Sequence, residues 1–293
     1  RQAYVSTVGK ELMVGTILAG TVRQMGNKGR ISVQLIDVNT QEHIWTMEYD
    51  RNLQDIFVIQ SEIAQNVASK LKIILASSEK KQIEKTYTEN TEAFQEYLLA
   101  KHFLNNRTPT SIQTAVGHFE KSISLGSGFA LAYANLSYCY SLIGAAGYGS
   151  DPGNMASKKA RESVAKALEL DESLAGAHAA LGYLKYRIDW DWDEADKEFM
   201  RAIELKPGYA TAHEWYALFL AIHRRLDESL KEIKIAHELD PLSLSVNTGM
   251  GRIYHFRNEI DKSVEQLKKT IELDPRYAEA YFALALAYYK QKD

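Results

Sequence analysis

The chain has 293 residues, with 35 basic and 38 acidic side chains and a net charge of −3. That near-balance lacks the footprint of a nucleic-acid or anionic-membrane binder, and no apolar run reaches the roughly 18 residues a membrane helix needs. Apolar residues make up 45% and charged residues 25%, an ordinary globular mixture, while the single cysteine, Cys139, excludes an intrachain disulfide.

Length alone suggests about two domains, and the pattern changes once along the chain. Residues 3–13 can form a short helix. Residues 16–25, 30–38 and 43–49 then alternate apolar and polar positions, most strictly at Ile31, Val33 and Leu35 against Ser32 and Gln34. Gly26-Asn27-Lys28-Gly29 and Asn39-Thr40-Gln41 are turn signals between them. Asn52 and Asp55 can open a helix with an apolar stripe of Ile56, Ile59, Ile63, Val67, Leu71 and Ile74. The expectation over residues 1–75 is a small α+β unit with a three-stranded antiparallel sheet. So few strands point to a further strand upstream, and the absence of Met at Arg1 suggests an excised or processed piece. Residues 76–90 are polar, expected to prolong the helix to about Lys85 and then act as a linker.

From residue 91 a different rule holds. Glu-Leu-Lys-Pro at 204–207 recurs as Glu-Leu-Asp-Pro at 238–241 and 272–275, so Leu205, Leu239 and Leu273 are spaced by 34 residues. Leu170 lies 35 before Leu205, implying a one-residue insertion at Arg187–Asp191. Leu125 lies 45 before Leu170, implying a longer insertion at Gly144–Gly153. Three columns of small residues share this register. They are Ser137, Gly182, Ala217, Gly251 and Ala285; Ala115, Ala160, Ala195, Ser229 and Ser263; and Ser122, Ala167, Ala202, Ala236 and Thr270. Small residues at fixed places let two helices cross closely, so each unit reads as an antiparallel helix pair. In the first unit the helices, about Glu92–Leu104 and the segment around Ala115, join through a loop expected over Asn105–Ser111.

This pattern resembles the tetratricopeptide repeat (TPR), most closely at Ala278, Tyr281, Leu284, Ala285 and Tyr288. The resemblance covers residues 91–293 and implies a mainly α fold, a right-handed TPR α-solenoid of five helix pairs plus a final helix. Gly20-Thr21-Val22-Arg23, Arg30-Ile31, Gln34-Leu35-Ile36-Asp37, Trp45 and Tyr49-Asp50-Arg51 resemble the C-terminal part of the TolB-like (FlgO-like) domain of bacterial signalling proteins. In that family the module lies between an effector and a TPR array, the effector being a winged-helix domain, a nucleotide cyclase or a protein kinase. Residues 1–293 contain no such effector.

No catalytic or metal motif stands out. His213-Glu214 would need a second histidine at residue 217, where Ala217 stands. His178 and His213 share a repeat column with Tyr133 and Tyr281, which suits packing. Asp189, Asp191, Asp193 and Glu194 surround Trp190 and Trp192, read as a solvated helix cap with buried tryptophans. Gly147, Gly149 and Gly153 lack the flanks of a phosphate loop, and Cys139 is read as a packing residue. No cofactor, catalytic residue or metal ligand is expected.

The resemblance places the first helix of each pair on the concave face of the array. Tyr138, Tyr183, Tyr186, Glu214, Leu218, Arg252, His255, Phe282, Leu286 and Tyr289 fall on the face left open there. Aromatic and apolar side chains on an open face suit a peptide or protein segment. The function expected is a non-catalytic protein-interaction region of a bacterial signalling protein. The alternative is a structural scaffold that self-associates, as a homodimer, and holds an upstream effector. A membrane span before Arg1 would place it in the periplasm, and its absence in the cytoplasm.

Overall fold

The computed structural model describes residues 7–9, 12, 14–25, 28–52, 56–73, 80, 83, 85, 88–145 and 154–291. The chain divides into two compact units, Arg1–Thr91 and Glu92–Asp293. Most of the predicted linker, part of the residue 3–13 helix and the glycine-rich insertion from residue 146 lie outside the described residues.

In the first unit, β1 (Thr16–Met25), β2 (Lys28–Asp37) and β3 (His43–Asn52) form an antiparallel sheet in the order β1-β2-β3. Helix α1 (Ile56–Lys70) follows. Ile31, Val33 and Leu35 of β2 and Trp45 and Tyr49 of β3 pack with Ile59, Ile63 and Val67 of α1. Leu18 pairs with Leu35 and Val22 with Ile31, which puts them on that same face. Yet Leu18 and Val22 remain 49% and 68% exposed. The buried side chains opposite α1 come from β2 and β3. The helix ends at Lys70 and does not run on to Lys85. Lys72 takes a left-handed conformation, and Ile73 N–H bonds back to Ala68 O at 2.9 Å, closing the last turn.

The second unit has the TPR α-solenoid fold. Its pairs are α2 (Thr91–Asn105) with α3 (Pro109–Leu125), and α4 (Ala130–Gly144) with α5 (Met155–Leu170). They continue as α6 (Ala175–Leu184) with α7 (Trp192–Leu205), α8 (Ala210–Ile222) with α9 (Leu226–Leu239), and α10 (Leu244–Phe256) with α11 (Ile260–Leu273). Helix α12 (Ala278–Gln291) is a final first helix. The first loop is shorter than expected, because Thr108 and Ser111 form a reciprocal cap (3.1 and 2.9 Å) with Pro109 at the first helical position. The one-residue insertion is absorbed as a π-helical turn, Lys185–Asp189, closed by Asp191 N–H to Lys185 O at 3.1 Å.

The small columns are the crossing points. On the second helices Ala115, Ala160, Ala195, Ser229 and Ser263 are all 0% exposed, as are Phe119, Phe199, Ile233 and Leu267 one turn on. A Cβ on Gly182 would lie 3.0 Å from the Phe199 ring, and one on Gly251 2.5 Å from the Leu267 side chain, so those side chains pack directly on the glycine backbone. One hydroxyl serves a crossing from either side. Ser137 donates to Ala160 O (2.8 Å), whereas Ser229 donates to Ala217 O and Ser263 to Gly251 O (both 2.7 Å).

The histidine column closes the turns between units. His178 bonds Glu172 O and Glu198 (2.9 and 2.6 Å), and His213 bonds Pro207 O and Glu232 (2.9 and 2.6 Å). Asn247 makes the same reach to Pro241 O (2.9 Å) and accepts from Gln266 (2.7 Å), and Tyr281 donates to Pro275 O (3.0 Å). Both ring nitrogens of each histidine face acceptors, so the imidazolium is the form that fits. The Glu198 carboxylate raises the His178 pKa. Burial opposes the charge on His213, but Glu232 and Pro207 O outweigh it and the pKa is raised.

A raised folded pKa contributes stability fully present below about 6.5 and lost as pH rises through the folded value. The melting temperature is therefore expected to fall as the pH rises above about 6.5. The fall should be shallower in His178→Asn/His213→Asn, which copies Asn247. Equal slopes in thermal melts of the two proteins would refute this assignment.

Candidate functional site

The first helices of successive pairs line a channel in the second unit. The offset that puts Ser137, Gly182, Ala217 and Gly251 at the crossings puts the next residue of each helix on the channel side: Tyr138, Tyr183, Leu218 and Arg252. Two adjoining cavities of about 510 and 620 Å³ occupy this face and share Arg107, Tyr138, Glu214, Trp215 and Ser245.

The ten residues predicted for this face separate into three environments. Tyr138 and Glu214 are buried, at 4% and 5% exposure. Tyr183, Tyr186, Leu218, Arg252 and His255 are half-buried. Phe282, Leu286 and Tyr289 are open, at 63%, 46% and 74%. The face is therefore not uniformly exposed, because large side chains from neighbouring helices fold onto one another. Tyr138 stacks 4.0 Å from Trp215 and meets Tyr183 edge-on at 4.9 Å; Tyr183 meets Tyr186 edge-on at 6.4 Å. Such offset and edge contacts add to the stability of aromatic burial. His255 lies outside both cavity linings; its Nδ1 is buried without a partner, and burial, then Lys290, lowers its pKa.

Two residues that the repeat pattern does not single out organise the channel. Trp215 is the one large residue in a column otherwise held by Asn135, Ala180, Gly249 and Ala283. Arg107 comes from the α2–α3 loop, and its backbone is left-handed at φ 52°, as are Trp190, Arg224 and Asn258 at the same place before later second helices. Its guanidinium donates to the Tyr138 hydroxyl and sits 5.1 Å over that ring. Burial opposes its charge, but Tyr138, Tyr277, Glu214 and Glu279 hold its pKa above the usual arginine value. Residues from the second, fourth and sixth repeats are thus within electrostatic reach of one loop side chain of the first.

The carboxylates here are few: Glu214 is buried, Glu279 half-buried and Asp240 exposed. Glu214 accepts from Ser245 at 3.0 Å, and burial raises its pKa against the pull of Arg107. Burial likewise raises the pKa of Glu279, which lies 3.9 Å from Arg252. Burial lowers the pKa of Arg252. Arg187, in the middle of the π-helical turn, lies 5.6 Å over the Tyr186 ring. No ordered pair of nucleophile and base appears in these contacts. Among the described residues, no group of three or more His, Cys, Asp or Glu is placed to hold a metal ion.

The acidic cluster is a cap, with one correction. Asp191 accepts from Glu194 N–H at 3.3 Å, and Asp189 is paired with Arg161 and with Lys185 at 3.4 Å. Trp190 and Trp192 are not buried, at 72% and 48% exposure, because the π-helical turn leaves Trp190 in a left-handed conformation that projects outward. Cys139 is wholly buried, and burial pushes its thiol pKa up to about 12.

Comparison with known proteins agrees with this architecture. Residues 251–292 match the family model of the TPR repeat. A thermophilic TPR protein of Thermus thermophilus superposes with a TM-score of 0.52 over 67% of this chain and 98% of that one, at 14% identity. YrrB, described as a TPR protein with an unusual peptide-binding site, gives a TM-score of 0.39 over 71% of this chain and 97% of that one, at 21% identity. That fit is too loose for a comparison of sites. A Rhizobium meliloti (strain 1021) protein named "Putative adenylate cyclase 3" is 30% identical over 133 residues. The match spans 45% of this chain and 23% of that protein's length.

Arg107 supplies a test of how the channel is held. Arg107→Ala and Arg107→Gly should both destabilise the chain by removing the Tyr138 bond. Glycine, free of the left-handed penalty, should recover about 1 kcal/mol relative to alanine. Denaturant unfolding that ranks alanine above glycine would contradict the strained loop.

Proposed function

We propose that the second unit is a non-catalytic protein-interaction region that holds a peptide or protein segment in the concave channel. The observation that carries the reading is the pair of adjoining cavities, lined by aromatic, apolar and a few charged side chains drawn from successive first helices. Half-buried and open aromatics such as Tyr183, Tyr186 and Phe282 offer contact area at low cost in side-chain entropy. In this reading the groove residues are Tyr138, Tyr183, Tyr186, Glu214, Leu218, Arg252, His255, Phe282, Leu286 and Tyr289, with Tyr138 and Glu214 forming its floor. The division taken with it is 1–75, 76–90 and 91–293, and the first segment is read as TolB-like. The Rhizobium meliloti relative supports a multidomain bacterial signalling protein, with a cyclase among the effectors such a region would serve.

The test is selection of a random twelve-residue peptide library on the whole chain. Enriched clones should bind about tenfold more weakly to Tyr186→Ala/Phe282→Ala, the effect of removing two contact anchors. Clones that bind the folded double variant as well as the wild type would rule out the channel.

A second reading, self-association that holds an effector as a dimer, is favoured by α12. Ala285 occupies the column that in the complete repeats receives a second helix, yet it is exposed, with Tyr281 and Tyr288 at 47% and 38% beside it. Light scattering over a concentration series should then show a dimer, and Ala285→Arg should return it to monomer. A wild-type chain that stays monomeric at about 100 μM, where weak interfaces already populate, would remove this reading.

A further inference from the structure

The channel holds more hydrogen-bond donors and positive charge than its own acceptors satisfy. The chain carries −3 overall. Even so, the two cavities are lined by Lys101, Arg107, Arg187 and Arg252 against Asp240, Glu214 and Glu279. The pairing is poor. Among the described residues, the ion-pair partner of Arg252 is Glu279, at 3.9 Å. Among the described residues, Lys101, Arg107 and Arg187 form no salt bridge with any carboxylate. The Arg107 guanidinium has five N–H groups, and among the described residues its side-chain acceptor is the Tyr138 hydroxyl. Lys101, in the last turn of α2, meets chiefly the like charge of Arg107, and burial followed by that repulsion lowers its pKa. Trp215 lines both cavities, and among the described residues its buried Nε1–H has no acceptor.

Like charges held together in a partly desolvated channel repel, and an anion placed between them relieves the repulsion and fills the empty donor positions. A carboxylate suits the sites because it is acceptor-only and matches the guanidinium fork. Beside the cations lie Tyr183, Tyr186, Leu218 and Phe282, an apolar shelf that a free inorganic anion would leave uncovered.

We infer that the channel takes an acidic peptide segment, with side-chain carboxylates seated among Lys101, Arg107 and Arg187 and apolar side chains on the Tyr183–Tyr186–Phe282 shelf. This rests on the peptide-channel reading above and specifies its ligand. The charges that face the bound carboxylates are then Lys101, Arg107, Arg187 and Arg252, with Glu214 and Glu279, which lie within electrostatic reach of Arg107, limiting how many acidic residues one segment can carry.

The same random twelve-residue library tests it. Clones selected on the whole chain should be enriched in Asp and Glu relative to the starting library. Acetylated, C-terminally amidated copies of the selected peptides should lose about tenfold in affinity when their Glu and Asp become Gln and Asn. A loss of similar size is expected on Lys101→Gln/Arg187→Gln. Arg187→Gln alone, at an exposed position, should give part of that loss with an unchanged circular dichroism spectrum. Three results would overturn the inference: clones with no acidic excess, acidic clones indifferent to the folded Arg187→Gln and Lys101→Gln variants, or binding abolished by C-terminal amidation, which would assign the anion to a chain end. If clones without acidic excess still weaken on Tyr186→Ala/Phe282→Ala, the acidic ligand falls while the channel stands. If they do not weaken, both fall.

Discussion

In the second, fourth and fifth repeats, a hydroxyl on one helix reaches a backbone carbonyl on the other at the point where the pair crosses: Ser137 to Ala160, Ser229 to Ala217, Ser263 to Gly251. The third repeat makes the approach with Gly182 against the Phe199 ring. A side chain larger than these would hold the helices apart, since interiors packed to crystal-like density leave no slack to absorb it. The crossing also sets phase. With 3.6 residues per turn, fixing Ser137, Gly182, Ala217 and Gly251 toward the second helix turns Tyr138, Tyr183, Leu218 and Arg252 about 100° away, toward the channel. The concave channel is therefore a by-product of the small-residue column, and its chemistry is written in the positions next to that column.

That dependence explains which parts are legible in the sequence. The 34-residue register and its small columns announce the helix pairs and the open final helix, because the spacing is a direct trace of repeated packing. The 35-residue step before Leu205 is legible as an insertion, and a helix absorbs a single extra residue most simply as a π-helical turn, here Lys185–Asp189. Local chemistry outside the period is harder. The Thr108-Pro109-Thr110-Ser111 cap is readable in principle, yet the loop expectation runs past it to Ser111. The general tendency of tryptophan predicts burial for Trp190 and Trp192, but the backbone conformation at the insertion decides where they point. In the first unit, alternation locates the strands well. It does not reveal that Leu18 and Val22 stay exposed on the face that α1 covers over β2 and β3.

The channel is the least legible part, for a physical reason. Columns identify side chains that face one way; they do not say what reaches in from a loop. Trp190, Arg224 and Asn258, the left-handed counterparts of Arg107, line neither cavity, yet Arg107 is the group on which Tyr138, Glu214, Tyr277 and Glu279 converge electrostatically. Its insertion converts part of an apolar face into a charged floor. The same insertion explains why Glu214 can be buried at 5% exposure, since an isolated carboxylate there would bear the full desolvation cost.

The two exposed stripes of α12 are different surfaces, although both read as apolar. Tyr281, Ala285 and Tyr288 lie on the side that in the complete repeats packs against a second helix, and the small Ala285 at its centre permits close backbone approach. Phe282, Leu286 and Tyr289 continue the channel columns that begin at Ala134, Tyr138 and Ser141. In the middle of the array those columns are closed in, with Ala179, Thr248, Ser141 and Ala221 wholly or nearly buried. Only toward α12 do they open, so the channel widens from a charged floor near Arg107 to an apolar mouth at Phe282. A segment bound along it would meet the buried charges of Arg107 and Glu214 at the floor and, toward α12, aromatic surface flanked by Arg187 and Arg252. That polarity gives the channel a direction, which a uniformly apolar groove would not impose on its ligand.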